Sequence, residues 1–378
     1  MAGRVTIVSR LFRPEPAAAA YRLGALADEL LAQGYAVSVL TTRPPDGAAA
    51  DDAGIDVRRW PVLRNGEGSV RGYLQYLSFD LPLFFRLLCC STDMVVVEPP
   101  PTTGAVSRAV CALKRIPYYH YSADVVSTAA QGIGVNRVVV RVLRAVERWV
   151  LRGARQVIAV SDGVRDDLLA LGVPEELVTV VGVGVDTGRF EFAPDAATGS
   201  ARKLVYGGTM SELHGAEVFV RAFARIVDRH PDARMLMVGQ GSDVVTLRRL
   251  ADELAPGRIE FRGPQPPERL RWEFSTAAAA LASLKPGCGY DYAFTTKALS
   301  GLSAGAPVIY AGVGPMADLI RRNGLGWAVE WHEAAVAEAM DEALNATVTT
   351  SRRVELSRWV SRNHSLRSVA ANAVKAIG

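Results

Sequence analysis

The feature that most constrains this chain is an alternation that occurs twice along it. Short β-branched runs at Val5 to Ser9, Ala36 to Thr42, Asp93 to Pro99, Pro117 to Ser122 and Arg155 to Ser161 are separated by segments of helical period. Such alternation predicts a parallel sheet covered by helices on both faces, because parallel strands need long crossovers that bury them from two sides. A second series follows, KLVYGG, ARMLMVGQG, IEFRGP, AAALASL and APVIYAG, interleaved with helices such as GAEVFVRAFARIVDRH. The two halves share an architecture without residue-level repetition. At 378 residues the chain is long for one core and natural for two. Between the series, APDAATGSARK from Ala193 to Lys203 is small, polar and aperiodic, as a boundary is. The expected fold class is α/β, two doubly wound Rossmann-like domains facing each other, with ligand in an interdomain cleft lined by the carboxyl ends of both sheets.

Several function classes lose their usual support. No apolar run reaches the roughly 18 to 20 residues that span a bilayer. The start, MAGRVTIVSR, enters a strand-like stretch without an apolar leader, so a cytoplasmic location is expected. Cys89, Cys90, Cys111 and Cys288 have no zinc-like spacing and read as buried free thiols. A formal charge of +4, spread along the chain, gives no reason to expect nucleic acid. There is no P-loop, nucleophile elbow, metal-binding histidine pair or complete dinucleotide glycine pattern, so no metal and no nicotinamide cofactor are expected.

The most informative stretch is YDYAFTTKALSGLSAGAPVIYAG, Tyr290 to Gly312. Thr295 or Thr296 is placed to cap a helix, Lys297 lies in its first turn, and Gly305 and Pro307 end it before a strand. A lysine at the positive end of a helix opposes the dipole, so a phosphate or diphosphate is the expected occupant; a solvated lysine is the alternative. VYGGTMSELHG, with Gly208 and Thr209, and MVGQGSD, with Gly239 and Gly241, are strand-to-helix turns that let backbone approach a ligand, although glycine there serves steric ends equally well. In the first half PYYHYSADVVS puts His120 and Asp124 at the exit of an expected strand, where a histidine can exchange a proton or hold a polar ligand, or be structural. The loop SRLFRPEPAAAAYR offers Arg13, Glu15 and Arg22 to the cleft, or to solvent.

Together these pieces resemble a glycosyltransferase of the GT-B fold, in the large retaining family 4, over nearly the whole chain. The segments that carry the resemblance are ALADELLAQGYAVSVLTTRP, VERWVLRGARQVIAVSDGVRDDLLALGVPEELVTVVGVGVDTGRF and TTKALSGLSAGAPVIYAG, and the branch that it resembles builds bacterial O-antigen and capsule sugars. The resemblance implies an acceptor-binding domain over 1–186, to which a C-terminal helix, 362–378, crosses back, and a donor-binding domain over 187–361. It implies metal-independent transfer of a hexose-type sugar, with retention, from a nucleotide diphosphate sugar to a glycan, lipid-linked or small-molecule acceptor. The donor is the nucleotide partner rather than a cofactor, UDP-sugar first, with GDP- and dTDP-sugars as alternatives. Its diphosphate would rest on Gly208, Thr209, Thr296 and Lys297, with His120 beside the transferred sugar. Gly239, Gly241, Arg262, Tyr290 and Thr295 complete the expected donor site, and Arg13, Glu15 and Arg22 the acceptor side. The chain departs from the family where many members carry two glutamates, here Tyr292 and Ser300, and a basic pair, here Thr209 and His214. Those departures leave two alternatives: a nucleotide-sugar 2-epimerase of the same architecture, or an inactive nucleotide-sugar-binding paralogue.

Gly72 to Cys90 is rich in leucine and aromatic residues, and Arg137 to Arg155 is basic and apolar at helical spacing. Each reads either as core packing or as a peripheral contact with an anionic membrane.

Overall fold

The computed structural model describes residues 3–15, 17–45, 52–65, 70, 72–132, 136–194, 202–288 and 291–378. The chain forms two compact units, residues 1–182 with 366–378, and residues 183–365.

In the first unit the order is β1 (Arg4–Val8), α1 (Ala18–Ala32), β2 (Ala36–Thr42), β3 (Ile55–Trp60), α2 (Tyr73–Leu88), β4 (Met94–Val97), α3 (Pro101–Lys114) and β5 (Tyr118–Ser122). It continues through α4 (Val126–Gly132), α5 (Arg137–Gly153), β6 (Gln156–Ala159), α6 (Asp162–Ala170) and β7 (Val178–Val180). The seven strands are parallel in the order β3-β2-β1-β4-β5-β6-β7. Strand β1 is central and apolar on both faces, and Ile7 and Val8 are fully buried. Helix α1 turns Leu23, Leu26, Ala27 and Leu30 inward at the three-and-four spacing of one helical face.

The second unit runs β8 (Lys203–Gly207), α7 (Glu217–Ala224), β9 (Arg234–Val238), α8 (Val244–Leu254), β10 (Ile259–Arg262), α9 (Pro267–Ser275) and β11 (Ala279–Ser283). It closes with α10 (Thr296–Ser303), β12 (Val308–Ala311), α11 (Pro315–Asn323), β13 (Gly326–Val329), α12 (Glu333–Asn345) and α13 (Thr350–Asn363). Its six parallel strands are ordered β10-β9-β8-β11-β12-β13. Two apolar clusters cover the sheet faces, one built on Tyr206, Phe219 and Phe223, the other on Phe274, Leu302 and Tyr310. Each such side chain contributes about 1.5 to 3 kcal/mol on burial. The final helix, α14 (Leu366–Ile377), belongs to the first unit and packs on α1. The chain passes between units at Gly182–Val183 and Ser365–Leu366. Val185 bridges Ser365 there, and its amide donates to the His364 carbonyl at 2.9 Å.

Interior strands fall where the β-branched runs predict them. The reading did not single out β3, β7 or β13, all at sheet edges. Edge strands are half solvated, so β3 alternates and β7 and β13 are only half-buried, without the continuous apolar run that marks an interior strand. The aperiodic stretch Ala193 to Lys203 falls inside the second unit, and residues 195–201 lie outside the described residues. The helix expected through His230 ends at Ala224 and continues as tighter turns, with the Arg225, Ile226 and Arg229 amides bonded three residues back.

Candidate functional site

In the second sheet the connections diverge between β8 and β11, the switch point at which doubly wound sheets leave a crevice at their carboxyl ends. Strand β8 runs out through Gly208, whose φ of 140° suits only glycine. A Cβ on Gly208 would lie 2.4 Å from Cε of Lys297, so the bare backbone is what lets the lysine arm lie across the strand end. The ammonium sits 5.7 Å from the centre of the Tyr206 ring. Among the described residues Lys297 has no hydrogen bond and no carboxylate partner. Burial pushes its pKa down to about 7.

Lys297 lies in the first turn of α10, whose N-cap is the buried, extended Thr295. The expected cap by Thr295 is not made: its side chain bonds none of the first-turn amides. Thr296 instead offers its carbonyl to Ser300 Oγ at 3.0 Å. The amino end of α10 and the ammonium therefore present positive charge in one place, with no carboxylate paired to it among the described residues.

The surrounding loops are fixed by their own bonds. Tyr206 donates its hydroxyl to the Thr209 carbonyl at 2.7 Å, leaving the Thr209 side chain exposed. Gly239 and Gly241 act on backbone apposition, since a Cβ at either would fall 2.0 Å from the Gly208 oxygen or 1.9 Å from the Met210 oxygen. The Met210 amide completes this contact by donating to the Gln240 carbonyl at 2.9 Å. His214 shares 2.8 Å with Ser211 through Nδ1, and burial, with Lys297 nearby, drops its pKa to about 3, so it is neutral. Tyr292 is half-buried in the loop before α10, and Tyr290 lies outside the described residues. The neighbouring carboxylate, Asp291, accepts from the Gly287 amide at 3.1 Å. Arg262 ends the edge strand β10 and is held by Glu260 at 2.6 Å and Glu273 at 2.7 Å, so its charge is already satisfied. No three His, Cys, Asp or Glu side chains among the described residues are grouped to hold a metal ion.

The corresponding switch point of the first sheet lies between β1 and β4 and is occupied differently. Ser9, just past β1, meets the carboxyl of Glu98, just past β4, and Arg22 of α1 donates to the same carboxyl at 2.9 Å. Glu98 is buried, which raises its pKa, while the Arg22 charge works in the other direction. Arg22 also lies over the Tyr121 ring at 5.1 Å. Sequence reading missed Glu98; an acidic residue ending the apolar run MVVV was its signal. Arg13 and Glu15 are likewise committed, Arg13 to Asp28 and Asp52, and Glu15 to Arg64.

His120 is within β5, paired with Val97 and Val157, rather than at the strand exit. Its Nδ1 is 2.8 Å from Ser122 Oγ, and burial drops its pKa to about 4, so the ring is a neutral hydrogen-bonding group near pH 7. Asp124 follows the strand, its pKa raised by burial and partly restored by Arg22. Glu147 of α5 accepts from the Val126 and Ser127 amides at 2.8 and 2.9 Å, closing the amino end of α4.

Comparison with known proteins agrees with this layout. A family model described as a glycosyl transferase 4-like domain matches residues 18–184, and one described as glycosyl transferases group 1 matches residues 201–346. The chain belongs to the family 4-like glycosyltransferases of the GT-B fold. It is 28% identical over 190 residues to the D-inositol 3-phosphate glycosyltransferase of Corynebacterium aurimucosum, covering 46% of this chain and 44% of the relative. The chain thus spans about half the length of the curated relatives that it matches. Among solved structures, sucrose-phosphate synthase from Thermosynechococcus elongatus superposes with a TM-score of 0.79 at 18% identity, over 99% of this chain and 98% of that one. Anabaena HepE in complex with UDP-glucose superposes at 0.74 with 14% identity, over 99% of each chain. At these identities the likeness is one of fold. Within this family member, Gly208, Thr209, His214, Gly239, Gly241, Thr295, Thr296 and Lys297 gather at or beside the switch point of the second unit, and Arg262 is tied to its carboxylates at the β10 edge.

Proposed function

We propose that this protein is a metal-independent, retaining glycosyltransferase that moves a hexose-type sugar from a nucleotide diphosphate sugar to a hydroxyl of a glycan, lipid-linked or small-molecule acceptor. The observation that carries the reading is Lys297, a half-buried ammonium over Gly208 at the amino end of α10, with no carboxylate partner among the described residues. A diphosphate is the anion whose charge and size fit it. The HepE complex with UDP-glucose supports a UDP-sugar as the first donor to try. The inositol phosphate relatives support a polyhydroxylated acceptor.

As the bond from the anomeric carbon to the phosphate oxygen breaks, negative charge grows on the diphosphate, and Lys297 and the α10 amides stabilise it more than they stabilise the intact donor. The acceptor oxygen bonds to the anomeric carbon on the face the diphosphate leaves, and its proton passes to a departing phosphate oxygen. This course needs no carboxylate nucleophile, and this chain carries Tyr292 and Ser300 just before and within α10. His120 with an open Nε2 and Asp124 are the side chains of the first sheet edge with bonding capacity for acceptor or sugar hydroxyls. Arg13, Glu15 and Arg22 instead serve to hold that edge together.

The test is turnover with a panel of UDP-, GDP- and dTDP-sugars and mixed acceptors, following free nucleotide diphosphate and the anomeric signal of the product by NMR. Retained configuration with UDP release supports the reading. An isomerised nucleotide sugar would identify an epimerase, and tight binding without turnover an inactive nucleotide-sugar binder.

A further inference from the structure

Helices α2, α3 and α5 lie side by side in the first unit with α3 in the middle, and their outward faces carry two unusual features. On α2, Leu74, Leu77, Leu81, Phe85 and Leu88 are all exposed, Leu74 at 68% and Phe85 at 67%. Their spacing of three and four places them in a single stripe. The same helix buries Phe79, Leu83 and Leu87 on its inner face, so α2 is apolar on both sides. Exposed Leu113 adds to the apolar surface from α3.

On α5, Arg137, Arg141, Arg144, Arg148 and Arg152 recur at the same helical spacing and are exposed. The one carboxylate of α5, Glu147, is turned inward onto the amides of α4. Arg141, Arg144, Arg148 and Arg152, with Arg108 of α3 stacked on Trp149 at 4.2 Å, ring a surface concavity of about 780 Å³. Among the described residues none of these arginines is ion-paired. Exposed Val138 and Val142 stand beside the row.

Like charges one turn apart repel within a helix, so a row without acids calls for anions from outside. A nucleic acid would engage the arginines and leave the leucine stripe in water. An apolar protein partner would cover the stripe and leave the row unmatched. A bilayer with anionic headgroups satisfies both, phosphates against guanidinium groups and leucine and phenylalanine in the interfacial zone. We infer that the outward face of α2, α3 and α5 docks the protein on an anionic phospholipid membrane. The basis is surface charge and exposed apolar area, separate from the donor site.

The experiment is sedimentation of the full chain with vesicles of phosphatidylglycerol and phosphatidylcholine, and with phosphatidylcholine alone. The protein is expected to sediment with the anionic vesicles at about 50 mM salt, and to be largely released at about 500 mM. Reversal of the row, Arg141→Glu with Arg144→Glu and Arg148→Glu, should weaken partitioning by about a hundredfold or more. Leu81→Ser with Phe85→Ser should weaken it by about tenfold at either salt concentration. Unchanged UDP binding and unfolding temperature in both variants keep a folding defect, or failure of the donor-site reading, distinct from loss of docking. The inference is overturned if wild-type protein stays with the supernatant, or if charge reversal leaves partitioning unchanged. It is also overturned if light scattering shows a dimer that Leu81→Ser with Phe85→Ser dissociates, or if single-stranded RNA binds at the same salt and outcompetes the vesicles.

Discussion

The two sheets meet their switch points with opposite chemistry. In the first, the crevice between β1 and β4 is filled from within: Glu98 takes Ser9 and Arg22, and Arg22 rests on Tyr121. In the second, the crevice between β8 and β11 holds a cation that the described residues do not neutralise, at a helix end that its N-cap Thr295 does not cap. One topology therefore yields a self-satisfied structural pair in one place and, among the described residues, an unpaired cation in the other. The difference is whether a buried charge has its counter-charge on the same chain.

The largest expected effect lies on the unsatisfied side. Lys297→Ala should lower kcat/KM by about a thousandfold and weaken UDP binding by roughly 30-fold or more, read by steady-state kinetics and calorimetry. Comparable UDP affinity in the variant would break the comparison. On the satisfied side, Arg22→Met leaves Glu98 buried without its cation and should cost about 3 kcal/mol in urea unfolding, with UDP affinity unchanged. That loss should be smaller at pH 5 than at pH 8, because Glu98, its pKa already raised by burial, can take up a proton.

Gly208→Ala should be intermediate. It places a methyl against Lys297 Cε and strains a φ of 140°, so about 1 to 3 kcal/mol of stability should be lost and UDP affinity should fall with it.

Titration of Lys297 sharpens the same contrast. With the pKa of Lys297 near 7, the ammonium is present below that pH and lost above it, so UDP affinity should be flat below about pH 7 and fall by up to tenfold per unit above it. Lys297→Arg should remove the pH dependence, since a guanidinium stays charged.

The smallest effect is on the empty protein. Between an unfolded value of 10.5 and a folded value of about 7, the unfolded state binds the proton more tightly, so stability falls as pH drops through that window and stays low beneath it. Lys297→Met should therefore raise stability at pH 6 without nucleotide and leave it unchanged near pH 11, read by urea unfolding at the two pH values.

How much was legible beforehand follows from what each residue depends on. The interior strands, the helix beginning at Thr296 and the lysine in its first turn are local patterns, and the chain displays them directly. The threonine cap was not legible, because whether Thr295 bonds an amide depends on its rotamer and burial rather than on its identity. Arg262 read as a site residue, yet Glu260 and Glu273 take its charge; Glu273 comes from another element. Arg13, Glu15 and Arg22 read as acceptor contacts, and each is held by a carboxylate or guanidinium distant in the chain. Glu98 went unnoticed because its partners Ser9 and Arg22 lie 89 and 76 positions away.

By itself the sequence determined the two-sheet architecture and the family, since β-branched runs at crossover spacing leave few other ways to bury them. It also placed a lysine at the start of α10. Only the tertiary structure decided that this lysine lies over Gly208 without a carboxylate partner among the described residues, while Arg13 and Arg22 of the first unit are held by carboxylates. Charge compensation acts over a few ångströms through space, and residue order carries no record of which side chains will come within that reach.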